Sequence, residues 1–137
     1  MTVSGRPLSK SAFEDLSNFR YQIRRFERFS EDAVRAQGIT SLQYLLLLHV
    51  KGFSGREYAY VGELAERLQA APHGVVALIT RCEKAELVER RRSLRDRREI
   101  EVHLLDKGEK FLIKLVAMHR AELTAIRGVF PVPIGSI

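Results

Sequence analysis

The chain has 137 residues, of which 45% are apolar and 29% are charged, the usual composition of a single globular domain. Its first ten residues lack the apolar core of a secretory signal, and its longest apolar run, residues 44–48, is too short to cross a membrane. The single cysteine, Cys82, excludes an intrachain disulfide and fits the reducing cytoplasm, while a sequence pI near 9.8 favours an acidic partner such as nucleic acid.

The N-terminal part of the chain carries the pattern of one long helix. Ser11 and Glu14 match a capping box, which predicts that the helix begins there. Between residues 12 and 33, apolar or small side chains recur at alternating spacings of four and three residues, the pattern of a seam along a second helix. This narrow seam favours packing between molecules; a long helix lying on its own domain is the alternative.

A second helix is predicted over residues 41–51. Thr40 and Gln43 form another capping box in front of it, and apolar side chains surround it on nearly all sides. A helix of this kind belongs at the centre of a core. We expect Gly52 to close it as a C′ residue.

Two short helices with a tight turn between them follow. Residues 62–68 form the first, residues 69–71 form the turn, and Pro72 suits the first position of a helix that runs to about Ala85. The side chains that face inward on this helix are Val75, Leu78, Ile79 and Cys82. The pattern is that of a helix-turn-helix, whose second helix presents its outer face to the DNA major groove.

Positive charge is concentrated in residues 90–98, which hold six arginines and one aspartate and sum to +5 of the whole chain's +6. Downstream, Ile100, Val102 and Leu104 alternate with polar residues, as in a half-buried strand. This predicts a β-hairpin with arginines at its tip and arms; a flexible, solvated basic loop is the alternative. Because residues 90–92 alternate in direction, only one or two of them can face a partner, and the remainder are expected to be solvated.

The last predicted helix covers residues 107–127, with a third capping box at Asp106 and Glu109 and a stop at Gly128. Its expected buried residues are Phe111, Leu112, Leu115, Val116, Met118, Leu123 and Ile126. The tail that follows contains two prolines and is expected to be extended, with Phe130, Val132 and Ile134 packed on a partner subunit.

This order of elements is that of a winged helix, and the segments GELAERL, VVALITRCEKAELV and RDRREIEVHLLDKGEKFL resemble the MarR family of bacterial transcription regulators. The similarity covers residues 38 to about 112, and its specific part is the Asp-Arg-Arg wing followed by the glycine that opens the last helix. It implies a mostly α (α+β) fold, a winged helix-turn-helix with long N- and C-terminal dimerisation helices. Residues 1–137 would form a single domain, in which 38–105 form the DNA-binding lobe and 9–36 with 107–137 form the dimerisation helices and tail.

The resemblance also implies which residues meet DNA. Arg97 and Arg98 would form the wing tip that enters the minor groove, and Asp96 would brace the wing by pairing with a neighbouring arginine. The predicted DNA-binding residues are His73, Gly74, Val76, Ala77, Thr80, Arg81, Arg95, Arg97 and Arg98.

The recognition helix departs from the family pattern. Ala71, His73 and Gly74 replace the usual serine or threonine at the cap and first turn, and Val76 and Ala77 replace a common Thr-Arg pair. Few base-edge donors remain, namely His73, Thr80 and Arg81. Either the wing and DNA shape supply the specificity, or the operator differs from those of the relatives; both explanations stay open.

Dimerisation and effector binding are further expectations from the resemblance. The predicted dimerisation residues are Leu16, Phe19, Ile23, Leu115, Met118 and Phe130. A small aromatic effector is expected between the dimer helices and the winged-helix lobe. The candidate pocket residues, each equally suited to the core, are Phe19, Phe26, Tyr44, His49 and Phe111.

Catalytic, metal and redox chemistry find little support. No arrangement of nucleophile, base and oxyanion donors is visible, and the four histidines lack metal-ligand spacing, so neither an enzyme nor a metal or other cofactor is expected. Cys82 lies on the inward face of the recognition helix, which favours a packed core thiol over a redox sensor.

The sequence therefore predicts a cytoplasmic, homodimeric regulator, most simply a ligand-responsive repressor that binds a palindromic operator in double-stranded DNA and has no membrane partner. The alternative is a winged-helix protein–protein interaction module whose basic wing meets an acidic partner.

Overall fold

The computed structural model describes residues 7–126, which form five helices and three strands. The elements are α1 (Lys10–Ala36), α2 (Ser41–Lys51), β1 (Tyr58–Tyr60), α3 (Val61–Leu68), α4 (Pro72–Lys84), β2 (Val88–Arg92), β3 (Ile100–Leu104) and α5 (Asp106–Ala125). This is the predicted mostly helical winged helix-turn-helix, so the fold class is confirmed. Within the described residues, every helix is too short or too polar to cross a bilayer. The tail, including Gly128 and Phe130, lies outside them.

Helix α1 begins earlier than predicted. Ser9 occupies the N-cap with extended backbone angles, and Ser11 lies inside the helix, where its hydroxyl is 2.9 Å from that of Ser9. The predicted capping box at Ser11 and Glu14 is therefore wrong. The reason is local: Ser9 is an equally suitable N-cap by residue type, and the helix extends to the earlier of the two.

Helix α2 has the predicted bounds and cap. The Thr40 hydroxyl accepts the Gln43 N–H at 3.1 Å, and the Gln43 side-chain oxygen accepts the Thr40 N–H at 2.9 Å. Gly52, however, is the C-cap with φ −85° and not a left-handed C′ residue. Helix α2 supplies the centre of the core, which is completed by Val34, Leu64, Ile79, Leu87, Val102 and Leu115.

The small sheet has the order β1-β3-β2 and is antiparallel throughout. Val102 of β3 lies between Ala59 of β1 and Arg90 of β2, and Val88 pairs with Leu104. Ala59, Val88 and Val102 are buried on the inner face. Of the three residues whose alternation predicted the strand, Val102 is buried, and Ile100 and Leu104 are half-buried. The hairpin of β2 and β3 is the predicted wing.

Helix α5 starts directly after the sheet. Leu105 is the N-cap, Asp106 is the first helical residue, and no side chain caps the helix. The third predicted capping box is therefore wrong, because the Leu105 N–H is already bound to the Leu87 carbonyl at 3.0 Å and the Glu109 carboxylate pairs with Lys51 at 2.7 Å. The helix ends at Ala125, before the predicted end.

Burial along α5 differs from the prediction in two places. Val116 and Leu123 were expected inside, yet they are 40% and 48% exposed. The buried side of the helix consists of Gly108, Leu112, Leu115 and His119. One narrow stripe thus meets the core, since a single straight helix can face one small core on only one side.

Candidate nucleic-acid interface

Helices α3 and α4 form the helix-turn-helix. Gln69 adopts left-handed angles (φ 52°), which turns the chain sharply after α3, and the Ala70 N–H donates to the Ala65 carbonyl at 3.0 Å. Pro72 then occupies the start of α4, as predicted. Val75, Leu78, Ile79 and Cys82 are all buried, so the opposite face of α4 is left open to a partner.

Most of the predicted DNA-contacting residues of α4 lie on this open face. His73, Gly74, Val76, Ala77 and Arg81 are all exposed.

Thr80 is different, because it is half-buried and its hydroxyl is engaged within the chain. The Thr80 hydroxyl donates to the Val76 carbonyl at 3.0 Å and accepts from Nη2 of Arg90 at 3.0 Å. The Thr80 hydroxyl was expected to donate to a DNA base edge, but in this conformation it is not free to do so. His73 and Arg81 remain as the polar side chains of the predicted set.

Arg90 binds the wing to the recognition helix. Its guanidinium pairs with the Glu83 carboxylate and donates to the Val76 carbonyl at 3.1 Å, while its backbone N–H lies 3.2 Å from Glu83 Oε2. The expectation that Arg90 either faces a partner or is solvated is wrong. Its position two residues after Val88 was the available signal, because side chains two apart in a strand lie on the same face and Val88 is buried.

The wing tip is held by hydrogen bonds around one buried serine. Ser93 is only 3% exposed, and its hydroxyl accepts the N–H groups of Arg95 and Asp96 at 3.2 and 3.3 Å. The Ser93 N–H donates to the Glu99 carbonyl at 3.1 Å, and the Glu99 N–H donates to the Asp96 carbonyl at 3.0 Å. These four hydrogen bonds connect the two ends of the loop.

Asp96 forms the pair expected for bracing the wing. Its carboxylate accepts the backbone N–H of Arg98 at 2.9 Å and the Arg98 Nε–H at 3.2 Å. These two bonds, the backbone bond first, hold the pKa of Asp96 below its usual value. Arg98 thus shares its charge with Asp96, whereas the guanidinium of Arg97 has no such acceptor in the described chain.

Three wing arginines remain uncompensated. Between residues 7 and 126, the side chains of Arg92, Arg95 and Arg97 are exposed and form neither a hydrogen bond nor an ion pair. Arg91 pairs with Glu89 on the outer face of the sheet. The free positive charge therefore lies along one arm and the tip of the wing, beside the open face of α4. Arg92 was not among the predicted site residues.

A sequence model of the MarR family matches residues 37–99, which hold α2, the helix-turn-helix and most of the wing. The transcriptional repressor MdtR of Bacillus subtilis is 29% identical over 90 residues, 66% of this chain and 56% of MdtR. Over these residues, the chain is similar to the MarR family. It spans little more than half the length of MdtR.

Solved structures of the MarR family share the fold. The crystal structure of the regulator AbsC of Streptomyces coelicolor has a TM-score of 0.76 at 22% identity, covering 93% of this chain and 86% of AbsC. A variant of MepR of S. aureus, bound to an oligodeoxyribonucleotide, has a TM-score of 0.66 at 19% identity, covering 80% of each chain. Each likeness covers more of the chain than residues 38–105, the predicted DNA-binding lobe.

Away from the open face of α4, the chain has a cavity of about 660 Å³ between α1, α2 and α5. The structure brings together two of the five candidate pocket residues there, Phe26 and Tyr44. The other three lie elsewhere: Phe19 and His49 do not line the cavity, and Phe111 lines a separate groove beside three lysines of α5. Burial, and secondarily Arg67, lowers the pKa of His49.

His119 completes the cavity and was missed in the sequence. Its ring stacks on Tyr44, with 4.9 Å between centroids, and meets the rings of Phe26 and Phe29 edge-on. Nδ1 lies 2.6 Å from the Leu115 carbonyl, and Nε2 lies 2.7 Å from the Ser30 hydroxyl. A carbonyl can only accept, so Nδ1 carries the proton, and in the neutral ring Nε2 accepts from Ser30.

The predicted dimerisation residues divide into two groups. Leu16 is 45% exposed, and Phe19, Ile23 and Met118 are half-buried. Leu115 is completely buried within its own subunit, so its predicted role in dimer contact is wrong. The large apolar side chains that α1 and α5 expose are Phe13, Leu16, Tyr21, Ile113, Val116 and Leu123.

Cys82 is a core residue, as predicted. It is completely buried, and burial raises the pKa of its thiol to about 11. At neutral pH almost no thiolate forms, and the thiolate is the reactive species. No cluster of three or more metal-ligating side chains occurs in the described part of the chain.

Proposed function

We propose that this chain is a MarR-family transcriptional repressor that binds DNA and acts as a homodimer. The observation that carries the proposal is the row of uncompensated arginines on the wing beside the open face of α4. Each subunit places α4 in a major groove and the wing over the adjacent minor groove, with half-sites about ten base pairs apart or a multiple of that. The names of two relatives support this: MdtR is a repressor, and the MepR variant was solved with an oligodeoxyribonucleotide.

Arg97→Ala should weaken binding to a duplex selected from a random library. Because the Arg97 side chain has no partner in the described residues, it is free to replace a counterion on a phosphate. The slope of log K against log salt should therefore fall by about one unit per lost contact. Binding is measured by fluorescence anisotropy across a salt series.

Arg20→Ala is the matched control, since it removes an exposed arginine from α1, away from the wing. It should leave the salt slope unchanged, and neither substitution should change the melting temperature. An unchanged slope in Arg97→Ala would exclude Arg97 from phosphate binding.

One observation favours a second function. The open face of α4 carries Gly74, Val76 and Ala77, which offer few hydrogen-bond donors to base edges. A winged-helix protein–protein interaction module, with its basic wing on an acidic partner, would not need such donors. Equal affinity for selected and random duplexes, together with tight binding to an acidic protein, would favour this alternative.

The dimer is supported by the apolar side chains that α1 and α5 leave exposed. Leu16→Asp should raise the dimer dissociation constant in sedimentation equilibrium by at least roughly tenfold, because a leucine loses its burial in both subunits at once. Leu42→Asp is the control, because Leu42 is 51% exposed but lies on α2. Equal effects of the two substitutions would count against an interface through α1.

An aromatic effector is proposed for the cavity of Phe26, Tyr44 and His119. Because the cavity lies between α1, α5 and α2, a ligand bound in it can change the orientation of the DNA-binding lobe relative to α1 and α5. Phenol or benzoate should weaken DNA binding several-fold in the wild type. The effect should disappear in Tyr44→Leu, which keeps an apolar side chain but removes the stacked ring. Calorimetry without any heat of binding would contradict the proposal.

A further inference from the structure

Leu94 is the most exposed large apolar residue among residues 7–126. Its side chain is 103% exposed, compared with 61% for Ile113, the next highest. Single exposed apolar residues are common on protein surfaces and need no explanation by themselves. Leu94 differs by its place, because most of the others lie on the terminal helices and it stands alone at the tip of the wing.

The wing holds Leu94 in a fixed position. The preceding residue, Ser93, is buried, and its hydroxyl binds the N–H groups of the two residues after Leu94. The backbone bonds between Ser93, Asp96 and Glu99 close the loop from the other side. A partner that covers Leu94 therefore meets a loop that is already ordered, which lowers the entropic cost of binding.

The charges around Leu94 identify the partner. Arg92, Arg95 and Arg97 lie within three positions of Leu94 in the chain, and in the described structure their exposed side chains form no ion pair. A surface that matches this tip has rows of negative charge on both sides of a narrow groove whose walls include apolar groups. The DNA minor groove has this character, with phosphates along its edges and sugars and base edges between them. Leucine is among the side chains that enter minor grooves and partly unstack a base step.

We propose that Leu94 is an apolar wedge that enters the minor groove beside each half-site, while neighbouring arginines bind the phosphates. This rests on the proposed DNA-binding function and names how the wing would contribute to specificity. A wedge favours steps that unstack easily, above all pyrimidine–purine steps such as TA. The wing would then read DNA shape, which suits a recognition helix with few base-edge donors.

The experiment compares Leu94→Ala with Leu94→Met, which keeps an apolar wedge. Binding is measured on a selected duplex with a TA step under the wing and on the same duplex with that step replaced by GC. Leu94→Ala should bind the TA duplex roughly tenfold more weakly and the GC duplex almost normally. Its salt slope should be unchanged, because no charge is lost. Leu94→Met should stay within about threefold of the wild type on both duplexes.

Bending is the second measurement. A duplex labelled at both ends should show higher energy transfer when the wild type or Leu94→Met binds, and a smaller increase with Leu94→Ala. The melting temperature should be the same for all three proteins, because the Leu94 side chain packs on nothing in the described structure.

Two results would overturn the wedge. In the first, Leu94→Ala matches the wild type in affinity and in DNA bending. In the second, Leu94→Ala binds both duplexes equally more weakly and with a lower salt slope, which indicates lost phosphate contacts. Either result leaves the DNA-binding proposal standing if Arg97→Ala still lowers the slope. A wild-type protein that shows no preference among duplexes would instead refute the proposed function itself.

Discussion

Gly108→Ala is expected to destabilise the protein by about 3 kcal/mol, close to the upper end of the usual range for overpacked cores. A Cβ atom on Gly108 would overlap the carbonyl oxygen of Leu87 and lie 3.0 Å from its carbonyl carbon. These are backbone atoms, so no rotamer change relieves the overlap. The same carbonyl accepts the Leu105 N–H at 3.0 Å, so moving it also disturbs the junction of sheet and α5.

Alanine is the better helix former by about 1 kcal/mol, which offsets only part of this cost. The free energy of unfolding is measured by urea titration, with the slope m as a check that the two proteins expose similar surface on unfolding.

Gly74→Ala is the matched control for this prediction. Gly74 is the third residue of α4, as Gly108 is the third residue of α5. A Cβ atom added to Gly74 would have no heavy atom of the surrounding structure within 4 Å, so the methyl group has open space. Gly74→Ala should therefore stabilise the free protein by about 0.5–1 kcal/mol. The two substitutions should have opposite signs. If both substitutions changed the free energy of unfolding in the same direction, the close contact with Leu87 would not be the reason that residue 108 must be glycine.

Arg90→Ala is expected to abolish most of the preference for a selected duplex over a random one, with a loss of roughly tenfold or more in that ratio. Arg90 joins β2 to Glu83, Thr80 and the Val76 carbonyl, so it sets the position of the wing relative to α4. A specific site requires both elements to fit their grooves at the same time. Random DNA is bound mainly through phosphates and depends less on that geometry.

The salt dependence separates this positioning role from a direct phosphate contact. If Arg90 acts through Glu83, the salt slope of Arg90→Ala stays near the wild-type value. Glu83→Gln should then cause a similar loss of preference, and the double variant should be little worse than either single one, because the two residues form one contact.

Arg92→Ala is the control on the same strand. Arg92 lies two residues further along β2 on the same face, is exposed and has no partner in the described structure. Its loss should lower the salt slope by about one unit on both duplexes while leaving their ratio unchanged. If Arg90→Ala behaves like Arg92→Ala, then Arg90 binds phosphate and does not position the wing.

The predictions that succeeded rest on local signals. The capping box of Thr40 and Gln43 marks the start of α2, Pro72 marks the start of α4, and the alternation of Ile100, Val102 and Leu104 marks a strand. Each depends on residues within a few positions of one another. The failure at Ser11 is also local, because Ser9 took the cap position. The failure at Asp106 is not local, because the Leu105 N–H and the Glu109 carboxylate bind Leu87 and Lys51, which are distant in sequence.

The candidate site was predictable only in part. The open face of α4 and the charge of the wing follow from helical and strand periodicity. The hydrogen bonds that Thr80 and Arg90 form with other residues of the chain do not follow from periodicity, because they depend on how closely β2 approaches α4. His119 and Ser30 are 89 residues apart in sequence, and no local pattern indicates that their side chains meet.

The sequence by itself determined the order of elements, the inward face of α4 and the concentration of charge in residues 90–98, because periodicity, caps and net charge are properties of short segments. Tertiary structure alone decided which arginines are free. Arg90 is neutralised by Glu83 across two elements and Arg98 by Asp96 within the loop, while Arg92, Arg95 and Arg97 keep their charge for a partner. An ion pair depends on the distance between two side chains, and packing sets that distance.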